Sequence, residues 1–183
     1  MYDKQREKQE KIDKHERKYR YITTQLLNDL FYEHQLTIHQ TSVKCHVDVC
    51  FTADNHTYDI EVKTRNKNIN KYPYVELKHS KYHNMLLDHK NDTLIYLVVV
   101  NKETAYFFNL SKMKMDELQS DKIQIKKVEY LEDSEMEIVD IFQIPISKAV
   151  AKVSVKQYIE RYAILEKRNK KNTISKKATQ PDH

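Results

Sequence analysis

Apolar residues first recur at helical spacing, at Tyr19, Ile22, Leu26, Leu27, Leu30 and Phe31, the stripe of an amphipathic helix that ends near residues 33–35. The period then changes to two. Leu36 and Ile38 mark a strand over 36–43, and residues 45–52 and 57–65 alternate apolar and polar positions, as half-buried strands do. Ala53, Asp54, Asn55 and His56 separate the last two, and Asp-Asn tolerates the backbone of a tight turn. A polar, basic stretch at 66–74 reads as a loop. Ser80 offers an N-cap for a helix from Lys81 through Leu87. The β-branched run at 93–100 is too apolar for an edge and predicts a strand buried on both faces. Its parallel partner would arise through the crossover helix over 81–90. Residues 101–103 turn the chain into a further strand at 104–109. Beyond 111 the pattern weakens: 122–131 and 136–145 read as strands or a peripheral extension, and 153–166 as a helix.

This order, α-β-β-β-α-β-β, predicts one α/β domain over 19–166 with its core at about 19–119. A mixed central sheet would be flanked by helices, with a peripheral C-terminal extension. Residues 1–18, with interleaved charges, suit an exposed helix or arm. Residues 167–183 read as a basic, disordered tail.

The hairpin carries the chemistry. With Asp54 and Asn55 as a two-residue loop, Ala53 faces His56, and counting outward sets Asp48 opposite Glu61 on one face of the sheet. Directly opposed Cβ atoms lie roughly 4.5–5.5 Å apart, and opposed like charges destabilise a sheet. Lys63 shares that face because side chains alternate along a strand. Two facing carboxylates invite a counter-ion, and magnesium is usually held by one or two carboxylates with waters and substrate phosphates.

Composition narrows the reading. The 183 residues carry a net charge of +5, which suits a phosphate-bearing partner. No apolar run approaches the ~18 residues of a membrane span, and the polar start lacks a secretory segment, so a cytoplasmic protein is the simplest expectation. Gly is absent altogether, which excludes glycine-rich phosphate loops and with them P-loop and Rossmann nucleotide enzymes. The same absence, beside abundant Lys, Asn, Ile and Tyr, reads as the mark of an AT-rich source, a phage or mobile element. Cys45 and Cys50, five apart on one strand, would be roughly 16 Å apart, too far for a disulfide. Cys45, His46, Cys50 and His56 lack the spacing of a zinc site, and His79 and His83 lack the Glu that follows the first His of a zinc protease.

An Asp on one strand, followed on the next by Glu-x-Lys, resembles the active-site signature of the PD-(D/E)XK nuclease superfamily, whose restriction-endonuclease-like core has the element order read above. The resemblance implies a Mg2+- or Mn2+-dependent endonuclease acting on DNA. Asp48, Glu61 and Lys63 would be its catalytic residues. Asp48, Glu61 and the Val62 carbonyl would hold the metal, and Lys63 would assist the attacking water. The small size suggests a Holliday-junction-resolvase-like or restriction-like enzyme, usually a homodimer. Many relatives place a Glu on the first helix, whereas Gln25, Asp29 and Glu33 form the polar stripe here. Val47 stands where a small residue or Pro is expected. Arg65, Lys67 and Lys71 follow the catalytic strand and Lys81 opens the next helix; each is a candidate DNA contact or an ordinary solvated cation. The alternative reading is an inactive PD-(D/E)XK-like module that binds DNA or a protein.

Overall fold

The computed structural model describes residues 2–34, 36–39, 47–65, 69–87, 93–126 and 135–178. Helix α1 (Tyr2–Leu30) joins the charged arm and the amphipathic stripe in one element. In its second half Ile22, Leu26 and Leu27 are buried to 1% exposure or less.

Strands β2 (Val49–Ala53) and β3 (His56–Arg65) form the expected hairpin, with Ala53 paired to His56 and Val49 to Ile60. Asp54 and Asn55 both take positive φ, 50° and 66°. That is the conformation a two-residue primed turn demands, met here without Gly. Phe51 and Tyr58, directly paired across the hairpin, stack with ring centroids 4.5 Å apart and planes 3° from parallel. Such an aromatic pair contributes about 0.5–1.5 kcal/mol beyond its area burial and opposes a register slip.

Strand β1 (Thr37–His39) lies antiparallel to β2. The expected strand over 36–43 is thus seen only at its start, residues 40–46 lying outside those described. Strand β5 (Thr93–Asn101) runs parallel to β3, Glu61 facing Leu97 and Lys63 facing Val99. Leu97, Val98, Val99 and Val100 are all at most 2% exposed, so β5 is buried on both faces. Strands β6 (Thr104–Asn109) and β9 (Ala151–Ser154) complete a mixed sheet ordered β1-β2-β3-β5-β6-β9.

The expected order needs correction at β4 (Tyr74–Lys78), a strand inserted between β3 and the following helix, where the expected loop ends. Val75 and Leu77 are buried, but five residues beside a polar loop give too short an alternation to stand out. Its partner is distant: β4 pairs with β8 (Met136–Pro145), which pairs in turn with β7 (Gln119–Lys126), in a second, antiparallel sheet. The strand expected at 122–131 therefore starts earlier, and that at 136–145 stands where expected.

Helix α2 (His79–Leu87) follows β4 without a break and begins one residue before the expected cap Ser80. Helix α3 (Lys156–Ala178) begins later than expected and extends well into the span expected as a tail. Lys, Arg and Ala are good helix formers, so a polar, charged composition does not by itself exclude a helix.

The main sheet separates two cores. On one face α1 and α3 pack Ile22, Leu26, Leu27 and Tyr158 against Val49, Phe51, Ile60, Val98 and Val100. On the other, α2 and the second sheet bring Met85, Val75, Leu77, Phe142 and Ile144 against Leu97, Val99 and Phe108. Alternation sends Ile60 into the first core and turns Glu61 and Lys63 toward the second.

Candidate active site

Asp48 directly precedes β2, and its N–H donates to the Ile60 carbonyl at 2.9 Å. The registered ladder ends at Val49 and Ile60; Asp48 lies one residue beyond it, close enough for its carboxylate to act on Glu61. The Val62 N–H donates to Asp48 Oδ2 at 2.8 Å, and Arg20 Nη2, from α1, donates to Oδ1 at 3.0 Å. A residue in an extended strand turns its N–H and C=O to the same edge, so the Val62 carbonyl lies on the Asp48 side of β3.

Glu61 is 8% exposed. Lys81 Nζ, from α2, stands 2.8 Å from its Oε2 in an ion pair, yet this buried oxygen accepts no well-aligned hydrogen bond. Burial, and after it the Asp48 carboxylate, pushes the Glu61 pKa from 4.5 up to about 7, against the pull of Lys81 and Lys63. Lys63 is half-buried. Burial holds its pKa below the usual lysine range, the cations of Lys81 and Lys78 act in the same sense, and Glu61 and Asp48 oppose them.

The carboxylates of Asp48 and Glu61 and the Val62 carbonyl on the Asp48 edge are hard oxygen donors. They fit a divalent cation of the magnesium class, which needs only one or two carboxylates and completes its shell with water and phosphate. Among the described residues no group of three or more His, Cys, Asp or Glu side chains gathers to hold a metal. The zinc alternatives gain no geometry either. Cys45 and His46 lie outside the described residues, and Cys50 is partly buried against the core that holds Val47 and Leu97. His79 stacks on Phe142 with centroids 3.8 Å apart, and His83 is exposed.

The expected DNA contacts divide. Arg65 is drawn inward: its guanidinium donates to the carbonyls of Tyr72 and Tyr74 and so ties the end of β3 to the start of β4. Lys81 is committed to Glu61. Lys71 is exposed, with its ammonium 5.5 Å from the Tyr72 ring centroid. Lys67 lies outside the described residues.

Of the polar stripe on the first helix, neither Asp29 nor Glu33 is held at the site. Asp29 accepts a hydrogen bond from the Tyr158 hydroxyl at 2.8 Å, on the α3 side, and Glu33 lies beyond the end of α1 in an exposed turn. Gln25 is half-buried. The side chain that does arrive is Arg20, which the sequence reading missed. A weak signal existed, since Arg20 stands one turn or less from Tyr19 and Ile22, at the margin of the apolar stripe. Beside it a cleft of about 270 Å³ opens among Asp13, Glu16, Arg17 and Arg20. Further along α1, His15 Nε2 meets Thr64 Oγ1 at 3.0 Å, fixing the helix against β3.

No protein-family model matches the sequence, and no curated protein does. Among solved structures, one similar chain is Hjc, a Holliday junction resolvase from the archaeal hyperthermophile Archaeoglobus fulgidus. It shares 12% identity at a TM-score of 0.40, over 73% of this chain and 96% of that one. At that distance the similarity carries no residue role across to this chain.

Proposed function

We propose that the protein is a divalent-cation-dependent nuclease that hydrolyses phosphodiester bonds in DNA, with Asp48, Glu61 and Lys63 at its centre. The observation that carries this reading is Glu61: a buried carboxylate set beside a second acid, with Lys81 and Lys63 next to it and its pKa pushed up by burial. A perturbed carboxylate of this kind, with a lysine on the same face, marks a functional-site candidate with a physical rationale.

Asp48 and Glu61 would hold Mg2+ or Mn2+ with the Val62 carbonyl, and the ion would supply a more acidic bound water and charge stabilisation at phosphate. The chain's own groups do the rest. The Val62 N–H fixes the orientation of Asp48. Lys63, with its pKa lowered by burial, is neutral and able to accept a proton in a larger fraction of molecules than an ordinary lysine, and is a counter-charge for the phosphate when protonated. The wider charge distribution suits a polyanion. Helix α3 carries eight Lys and Arg against two Glu, a net +6, which leaves the rest of the chain at −1 within its total of +5.

A second reading, an inactive DNA- or protein-binding module, is favoured by one observation: Arg20 and Lys81 already neutralise the two acids. Incubation of labelled linear and branched DNA with Mg2+ separates the two. Wild type is expected to cut, and Asp48→Asn, Glu61→Gln and Lys63→Ala are each expected to lose about 100-fold or more in rate while keeping their circular dichroism. Retention of DNA by a wild-type protein that cuts neither substrate would overturn the nuclease reading.

A further inference from the structure

Arg20 belongs to the helix that covers one face of the sheet, yet it reaches around to an acid on the other. Its hydrogen bond to Asp48 Oδ1 is the only one it makes among the described residues. A guanidinium has five N–H donors in a planar fork, and this side chain is 46% exposed, so donors remain for a second partner. Asp48 meanwhile has both oxygens engaged, one by Arg20 and one by Val62.

A divalent cation joining Asp48 must therefore compete with Arg20 for Oδ1. Once displaced, Arg20 would be a positive charge close to a dication; Asp13 and Glu16 of the neighbouring cleft offset part of that charge, and an incoming phosphate would relieve the rest. The planar fork that fits a carboxylate also fits a phosphate.

We propose that Arg20 is a two-position residue: counter-ion to Asp48 in the metal-free protein, and a ligand of the DNA backbone phosphate when cation and DNA are bound. The inference rests on the nuclease reading and deepens it, since it makes the site's two ligands cooperative. Arg20 resists the cation alone, and DNA removes that resistance. By linkage the cation strengthens DNA binding by the same factor. An idle site would in this way hold metal weakly until substrate arrives.

The test uses the full-length chain and two readouts besides activity. Mn2+ binding to the free protein, followed by electron paramagnetic resonance, is expected to be about fivefold tighter in Arg20→Met than in wild type, as removal of a partly exposed competing charge implies. Binding of a labelled DNA duplex in Ca2+, followed by fluorescence anisotropy, is expected to weaken about tenfold, and the slope of log affinity against log salt to fall by about one. Arg20→Lys, which keeps the charge but loses the fork, is expected between the two and serves if the methionine variant does not fold.

Mn2+ affinity unchanged or weakened in the Arg20 variants would make the residue structural and overturn the inference. Tighter Mn2+ with unaltered DNA affinity and salt slope would overturn it too, because the phosphate position would be missing. Wild-type Mn2+ binding that is abolished by Glu61→Gln but indifferent to Arg20 sinks this inference and leaves the nuclease reading standing. A wild type that binds no Mn2+ with or without DNA sinks both.

Discussion

Glu61 shows how a single residue can set folding against function. Its folded pKa of about 7 lies above its ordinary 4.5, so the protonated form is the one the fold prefers. The associated stability is fully present below pH 4.5, fades as pH rises from there to about 7, and is absent above it. A shift of this size corresponds to about 3 kcal/mol. Glu61→Gln, neutral at every pH, is therefore expected to match wild type near pH 4.5 and to exceed it by about 2–3 kcal/mol at pH 8, measured by urea denaturation. Lys81 is exposed enough to turn to water in that variant. Equal stabilities at pH 8 would mean that Glu61 is not strained when ionised. The acids were legible in the sequence because strand alternation and a two-residue turn fix which side chains share a face. Arg20 was not. Its direction depends on how α1 rolls on Ile22, Leu26 and Leu27, and it lies outside the polar stripe of Gln25, Asp29 and Glu33.

At the scale of elements, the hairpin holds the two acids in place. Phe51 is 1% exposed, stacks on Tyr58, and meets Phe31 edge-on at 5.2 Å, so three aromatic rings lock the hairpin register that runs from Ala53 and His56 to Val49 and Ile60, next to the two acids. Phe51→Ala is expected to cost about 3–5 kcal/mol and Phe51→Leu less than half of that, as denaturation midpoints would show. A loss below 1 kcal/mol for the alanine variant would mean that the register is held elsewhere. Strands of this kind announce themselves: β3 by alternation, β5 by a run of Leu97, Val98, Val99 and Val100. Strand β4 did not. Its stability comes from β8, some 65 residues away by the pairing of Leu77 with Phe142, and from the grip of Arg65 on Tyr72 and Tyr74. Neither contact leaves a local pattern.

At the scale of the molecule, the mixed sheet is sandwiched between a helical layer and a layer formed by α2 and the second sheet, and the candidate site lies where β2, β3, α1 and α2 each lend it a side chain. The crossover that makes β3 and β5 parallel also delivers Lys81 to Glu61, so the topology and the ion pair have one cause. No helix among the described residues is long and apolar enough to cross a membrane. A divalent-cation nuclease here requires Asp48 and Glu61, now paired with Arg20 and Lys81, to share one metal ion. Anomalous scattering from a crystal of the protein grown with Mn2+ examines that requirement. One strong peak is expected between the two carboxylates, about 2.0–2.2 Å from an oxygen of each, with Arg20 turned away from Asp48. A crystal that shows no peak there, with Arg20 still bonded to Asp48 and Lys81 to Glu61 at millimolar Mn2+, would contradict it.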